Sequence, residues 1–138
     1  MTELKVRDLM SDDVIAVRPE DDLMTLRDLM ISHNVRHIPV VDADTEVVGL
    51  VSHRDLLRAS LIEQPNVTSY MEEAVLASVL VKGIMTEGVQ SVDVDTDLRD
   101  AAEIMYENKY GCLPVTEGER LRGILTESDF VRFMAHGH

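Results

Sequence analysis

Residues 49–57 read GLVSHRDLL, and residues 123–131 read GILTESDFV. Each stretch opens on a glycine, passes through apolar residues to a hydroxyl, and sets an aspartate three positions later. The pattern suits a strand handing over to a helix. Ser52 or Thr126 sits at the N-cap, and Asp55 or Asp129 reaches back to a free backbone N–H. Gly49 and Gly123 then read as the ends of turns. One such stretch predicts a helix start and no more. A second raises the question of whether the whole chain is written twice.

It is. A displacement of 75 residues lays Val6-Arg7-Asp8-Leu9-Met10-Ser11 over Val81-Lys82-Gly83-Ile84-Met85-Thr86. The same displacement of 75 lays Leu23 over Leu98, Met30 over Met105 and Ile38-Pro39-Val40 over Leu113-Pro114-Val115. One residue drops out of the second copy near Glu117-Gly118-Glu119, and a displacement of 74 then lays Gly49, Ser52 and Asp55 over Gly123, Thr126 and Asp129. Self-similarity of this kind settles the organisation before any single element is assigned.

Each copy predicts the same elements. After the V-x-x-x-M lead comes a short strand, 14–17 or 89–92. Asp21 and Asp22, or Thr96 and Asp97, then offer a cap and a first-turn anion to a helix. Leu23, Leu26, Leu29 and Met30 share one helical face, as do Leu98, Ala101, Ala102 and Met105. These helices run to about Asn34 and Lys109. Strands follow at 38–41 and 47–51, with Pro39 at an entry position that tolerates a missing N–H. Their counterparts lie after Pro114 and at 121–125. The last helix begins near Ser52 or Thr126. The fold class is α/β (α+β), two β-α-β-β-α repeats packed with pseudo-two-fold symmetry. Residues 5–60 form the first repeat, 61–80 a linker helix, and 81–135 the second. A unit of that size buries too little surface alone.

In the linker, Pro65 and Asn66 break the preceding helix. Ser69 with Glu72 reads as a capping box, and Met71, Val75, Val79 and Leu80 as an apolar stripe that covers the core, with a dimer or partner surface as the rival reading.

Composition narrows the function. The 138 residues are 45% hydrophobic but only 4% aromatic, without Trp, so aliphatic side chains fill the core. Thirteen basic residues against 26 acidic ones give a net charge of −13, which repels nucleic acid and anionic lipid. Cys112 is the lone cysteine, so no internal disulfide forms, as suits a reducing cytosol. The first ten residues, MTELKVRDLM, carry charges where a signal peptide needs an apolar run. No segment approaches the ~20 apolar residues of a membrane span. The expectation is a cytoplasmic protein.

The hydroxyl–carboxylate pair has a second reading. A hydroxyl at a helix start donates to a phosphate oxygen, beside free N–H groups. A carboxylate there repels phosphate but accepts from both hydroxyls of a ribose. Together they describe a nucleotide site, although spacing alone favours the cap.

The tandem repeat, the V-x-x-[IL]-M-[ST] lead, the h-x-P-V strand and the G-h-h-[ST]-x-x-D ending together resemble a CBS-domain pair, the Bateman module. The resemblance covers about residues 5–60 and 80–135. It implies a stand-alone sensor with clefts between the repeats that bind an adenosyl ligand: AMP, ADP or ATP, with S-adenosylmethionine, NAD or a cyclic dinucleotide as further options. No cofactor is required. Carried over by position, Asp55 and Asp129 match the ribose carboxylates, and Ser52 and Thr126 the neighbouring hydroxyls. Ser11 and Thr86 match a position lining the site anchored by the other repeat. One site would then join Ser52, His53, Arg54, Asp55 and Thr86, with Tyr110, Gly111, Cys112, Leu113 and Pro114 near the base. The other would join Thr126, Asp129 and Ser11, with Val35, Arg36, His37, Ile38 and Pro39 near the base. Val14, Ile15 and Val89 would sandwich adenine. Glu127 and Ser128 replace His53 and Arg54 in the second copy, so the two sites should differ in phosphate affinity.

The resemblance also implies a homodimer that signals to an unknown effector protein, with no part for nucleic acid or membrane. The rival reading is a ligand-free structural or protein-interaction module. Catalysis is not expected, because the chain lacks a nucleophile–base pair, a phosphate-gripping glycine loop and a metal set. His33, His37 and His53 cross element boundaries and do not read as metal ligands.

Overall fold

The computed structural model describes residues 3–60 and 68–137. In chain order the elements are α1 (Val6–Leu9), α2 (Leu23–His33), β1 (His37–Val41), β2 (Val47–Ser52), α3 (His53–Ala59), α4 (Ser69–Ser78), a 3-10 turn (Val81–Gly83), β3 (Val92–Asp93), α5 (Leu98–Asn108), β4 (Cys112–Glu117), β5 (Arg120–Thr126) and α6 (Glu127–His136). This is the mixed helix-and-strand fold that the repeat predicts. The chain divides into two units, Met1–Val14 with Gln90–His138, and Ile15–Val89. Each unit therefore takes most of one copy of the repeat together with the lead segment of the other copy.

In the unit Ile15–Val89, β1 and β2 pair antiparallel, setting His37 opposite Ser52 and Val40 opposite Gly49, with a bulge after Val40. The strand expected at 14–17 is only a bridge. Val17 alone pairs parallel with Val40, its N–H donating to Pro39 O at 3.1 Å while its carbonyl accepts from Val41 N at 2.9 Å. α2 starts where Asp22 Oδ1 accepts from Thr25 N at 2.9 Å, and ends at Asn34 in the left-handed region (φ 52°). Its buried face is Leu23, Leu26 and Met30. These join Val17, Ile38, Val40, Val51, Leu56, Leu76 and Val81 in one apolar cluster. Each fully buried aliphatic side chain there contributes about 1.5–3 kcal/mol.

The linker helix differs from its expected form. Thr68, not Ser69, is the N-cap of α4, accepting from Met71 N at 3.1 Å. Leu76 is its buried anchor at 1% exposure, whereas Met71 is 47% exposed. The inward face centres on Leu76, with Val79 at the C-cap packed against the same core. Pro65 and Asn66 lie outside the described residues, and α3 already ends at Ala59.

In the other unit, β3 pairs parallel with β4, and β4 antiparallel with β5. The bulge after Val115 repeats the one after Val40. Gly118 opens the tight β4–β5 turn at φ 65°, a backbone region that favours glycine. α5 buries Leu98, Ala101 and Met105 and ends at Lys109 (φ 59°). Asp97 occupies its N-cap, and Thr96 Oγ1 accepts from Asp93 N at 3.1 Å. Val6 and Leu9, from the lead of the first copy, sit fully in this core beside Val94, Leu113, Val115 and Leu125.

The lead segments explain the glycines. Ser11 pairs with Ile124 on β5 through N–H···O bonds of 2.9 and 3.0 Å, and Thr86 pairs with Leu50 on β2 through bonds of 2.9 and 3.0 Å. A Cβ on Gly123 would lie 2.7 Å from Ser11 O, and one on Gly49 would lie 2.8 Å from Met85 Sδ and 3.0 Å from Thr86 O. Gly49 and Gly123 do not end turns. They lie inside strands, and their missing side chains let another segment of backbone cross at contact distance.

Candidate functional site

Both hydroxyl–carboxylate turns form as capping boxes. Ser52 is extended (φ −110°, ψ 163°), so its N–H and side chain turn toward the first residues of α3. Asp55 Oδ2 accepts from Ser52 N at 2.8 Å and from Ser52 Oγ at 2.9 Å, and Ser52 Oγ lies 3.2 Å from Asp55 N. Asp129 Oδ2 accepts from Thr126 N at 2.8 Å and Thr126 Oγ1 at 3.2 Å. The cap and the candidate ligand group are thus the same atoms.

Beyond the cap the turns part. Asp55 is half-buried, and its Oδ1 takes no hydrogen bond among the described residues. Asp129 is buried, its side chain 3% exposed. Its Oδ1 accepts from Arg132 Nη1 at 2.8 Å and from Ser11 Oγ at 3.4 Å. Arg132 Nη2 also donates to Leu9 O at 3.1 Å, tying α6 to α1. Arg132 is absent from the residues singled out by sequence. The signal was an i, i+3 carboxylate–guanidinium spacing, but Arg58 stands in the same relation to Asp55. Arg58 is exposed and pairs with no carboxylate among the described residues.

The structure brings Ser11 to Asp129, its hydroxyl 3.4 Å from Oδ1. Thr86 reaches the strand of Ser52 through its backbone pairing with Leu50, and its hydroxyl makes no bond to Asp55 among the described residues. Val35–Pro39 were expected with Asp129, and Tyr110–Pro114 with Asp55, which joins residues of different units. Within each unit the opposite set lies beside the turn. Arg36 O accepts from His53 N at 2.8 Å, and Gly111 O accepts from Glu127 N at 3.2 Å. The antiparallel strand pairing causes this: it sets His37 opposite Ser52, and Cys112 opposite Thr126. Ile38, Pro39, Leu113 and Pro114 are buried in their strands. Ile15 and Val35 pack against the core of their unit. Arg36, His53 and Arg54 are exposed, and His53 and Arg54 open the helix that Ser52 caps. Tyr110 is 38% exposed.

Cys112 is buried at the start of β4, and burial, with a smaller push from the Glu127 charge, raises its thiol to about 12. Such a thiol is no nucleophile near neutral pH. Among the described residues the one group of three potential cation ligands is Asp42, Asp44 and Glu46 in the β1–β2 turn. Asp42 Oδ1 there accepts from Asp44 N at 2.9 Å and Glu46 N at 3.0 Å, closing the turn. No histidine belongs to that group. No helix among the described residues is long and apolar enough to cross a membrane.

The family model described as "CBS domain" matches residues 6–62 and 81–136. The uncharacterized protein MJ1404 of Methanocaldococcus jannaschii is 31% identical over 138 residues, covering 98% of this chain and 33% of that protein. Inosine-5'-monophosphate dehydrogenase of the same organism is 30% identical over 129 residues, covering 93% of this chain and 23% of that enzyme. The chain therefore spans a third or less of these two curated relatives. The crystal structure of CBSX2 from Arabidopsis thaliana in complex with AMP is similar at a TM-score of 0.80, with 28% identity, over 95% of this chain and 96% of that one. With both halves of the repeat matched, the chain belongs to the CBS domain family and carries two copies of the domain.

Proposed function

We propose that the chain is a regulatory module that binds an adenine nucleotide or another adenosyl ligand and passes its bound state to a partner protein. The observation that carries this reading is Asp55. One carboxylate oxygen is held by the Ser52 cap, and among the described residues the other is left to accept. Two hydroxyls of a ribose fit an open carboxylate oxygen, which has about two acceptor positions. Arg36, His53 and Arg54 are exposed around it and suit a phosphate. The likeness to an AMP-bound CBSX2 supports the same ligand class. The cation-bearing turn sits in a chain of net charge −13, so phosphate attraction there is local.

Ligand binding would act by population shift, favouring the conformation in which the Ser52 turn and its neighbours are ordered around ligand. Exposed apolar side chains on α2, α5 and α6 (Ile31, Tyr106, Val131 and Met134) support a homodimer as the working form. Sedimentation velocity tests that arrangement directly.

Calorimetry with AMP, ADP, ATP, S-adenosylmethionine, NADH and cyclic di-AMP tests the ligand. Absence of heat with all of them, from folded and ligand-free protein, rejects the reading for these ligands. Asp55→Asn retains an amide oxygen for the cap and loses the charged acceptor. It should weaken binding about 10–100-fold, the worth of hydrogen bonds to a charged group, while circular dichroism stays unchanged.

A further inference from the structure

The two aspartates occupy the same place in the repeat, yet their four acceptor positions are spent differently. A carboxylate has about four lone-pair sites. On Asp129 all are taken: Thr126 N and Oγ1 on Oδ2, Arg132 Nη1 and Ser11 Oγ on Oδ1. On Asp55, among the described residues, only Oδ2 is engaged, by Ser52 N and Oγ. Exposure agrees, since Asp129 is 2% exposed and Asp55 is half-buried. We propose that Arg132 closes the Asp129 carboxylate to ligand, so that the chain holds a single adenosyl ligand, at Asp55. The inference rests on the reading of these carboxylates as ribose acceptors given above.

The closure is built into the fold. Arg132 lies one helical turn after Asp129 on α6 and bridges it to Leu9 O. Its guanidinium presents two parallel N–H groups, one to each acceptor, a geometry no lysine reproduces. A ribose diol entering at Asp129 would have to displace a charge-assisted 2.8 Å bond from a buried carboxylate. A neutral hydroxyl is the weaker donor and does not win that exchange. Arg132 is therefore a specificity-determining residue: it decides which of two sequence-equivalent sites is used. The difference between Glu127-Ser128 and His53-Arg54 is secondary to it.

Equilibrium dialysis against labelled AMP, with S-adenosylmethionine as a second probe, reads the number of ligands per chain. One AMP per wild-type chain is expected, weakened at least about 10-fold in Asp55→Asn. Folded Arg132→Met should gain a second binding event. Two AMP per wild-type chain, or one that persists at full affinity in Asp55→Asn, overturns the inference. So does a folded Arg132→Met that still binds one. Should Arg132→Met fail to fold, the wild-type stoichiometry and the Asp55→Asn loss decide alone. Wild-type protein that binds neither probe removes the functional reading and this inference with it. Two ligands per chain leaves the functional reading standing.

Discussion

Adding one methyl group at Gly123 should damage this fold more than its size suggests. The Cβ of Gly123→Ala would stand 2.7 Å from Ser11 O and 2.9 Å from Met10 Sδ. Met10 can swing its thioether aside. The carbonyl cannot move freely, because Ser11 exchanges two backbone bonds with Ile124, at 2.9 and 3.0 Å. To reach ordinary contact the carbonyl must retreat by about 0.7 Å, which stretches those bonds to about 3.6 Å, beyond useful length. Losing two such bonds costs about 1–3 kcal/mol, the range typical of overpacking. For a chain of this size that lowers Tm by roughly 3–12 °C. Gly49→Ala should behave alike, since its Cβ meets Met85 Sδ at 2.8 Å and Thr86 O at 3.0 Å. Gly83→Ala is the control: its Cβ meets nothing nearer than Val79 Cγ1 at 4.0 Å. Differential scanning calorimetry of the three variants reads the difference. If all three melt together with wild type, the crossing lead segments do not require these glycines.

Three further outcomes follow from particular contacts. Leu76→Ala should cost about 2–5 kcal/mol in urea denaturation, as for a fully buried leucine, while the exposed Met71→Ala stays within about 0.5 kcal/mol; equal losses would contradict the assigned inner face of α4. Asp22→Ala should lose about 1 kcal/mol of cap energy, because Asp22 Oδ1 accepts from Thr25 N at the start of α2; the same denaturation series reads it, and an unchanged midpoint would contradict the cap. Native Cys112, with its thiol raised to about 12 by burial, should stay unmodified by a disulfide reagent at pH 8 and react as urea unfolds the chain; rapid native labelling would show the site to be open.

The helix faces were legible because Leu23, Leu26 and Met30, and Leu98, Ala101 and Met105, recur at helical spacing, and a helix can bury that stripe only one way. The capping boxes were legible for a similar reason: Ser52 with Asp55 and Thr126 with Asp129 satisfy backbone groups within three residues. The α4 start was misplaced by one residue because Thr68 and Ser69 are both competent caps, and Thr68 is the one that accepts from Met71 N. The strand at 14–17 shrank to a bridge at Val17, since strand length depends on the partner and not on local propensity.

Sequence by itself determined the duplication, the order of elements in each copy and the two hydroxyl–carboxylate turns, because periodicity and capping are local and repeat with the letters. Only the tertiary structure decided that each lead segment joins the unit of the other copy, and that Gly49 and Gly123 make room for it. It alone separated Asp129 from Asp55. Arg58 and Arg132 hold the same place after their aspartates, but only Arg132 meets both a carboxylate and the Leu9 carbonyl. A side chain's choice of partner depends on backbone brought from 123 residues away, and no local pattern records that distance.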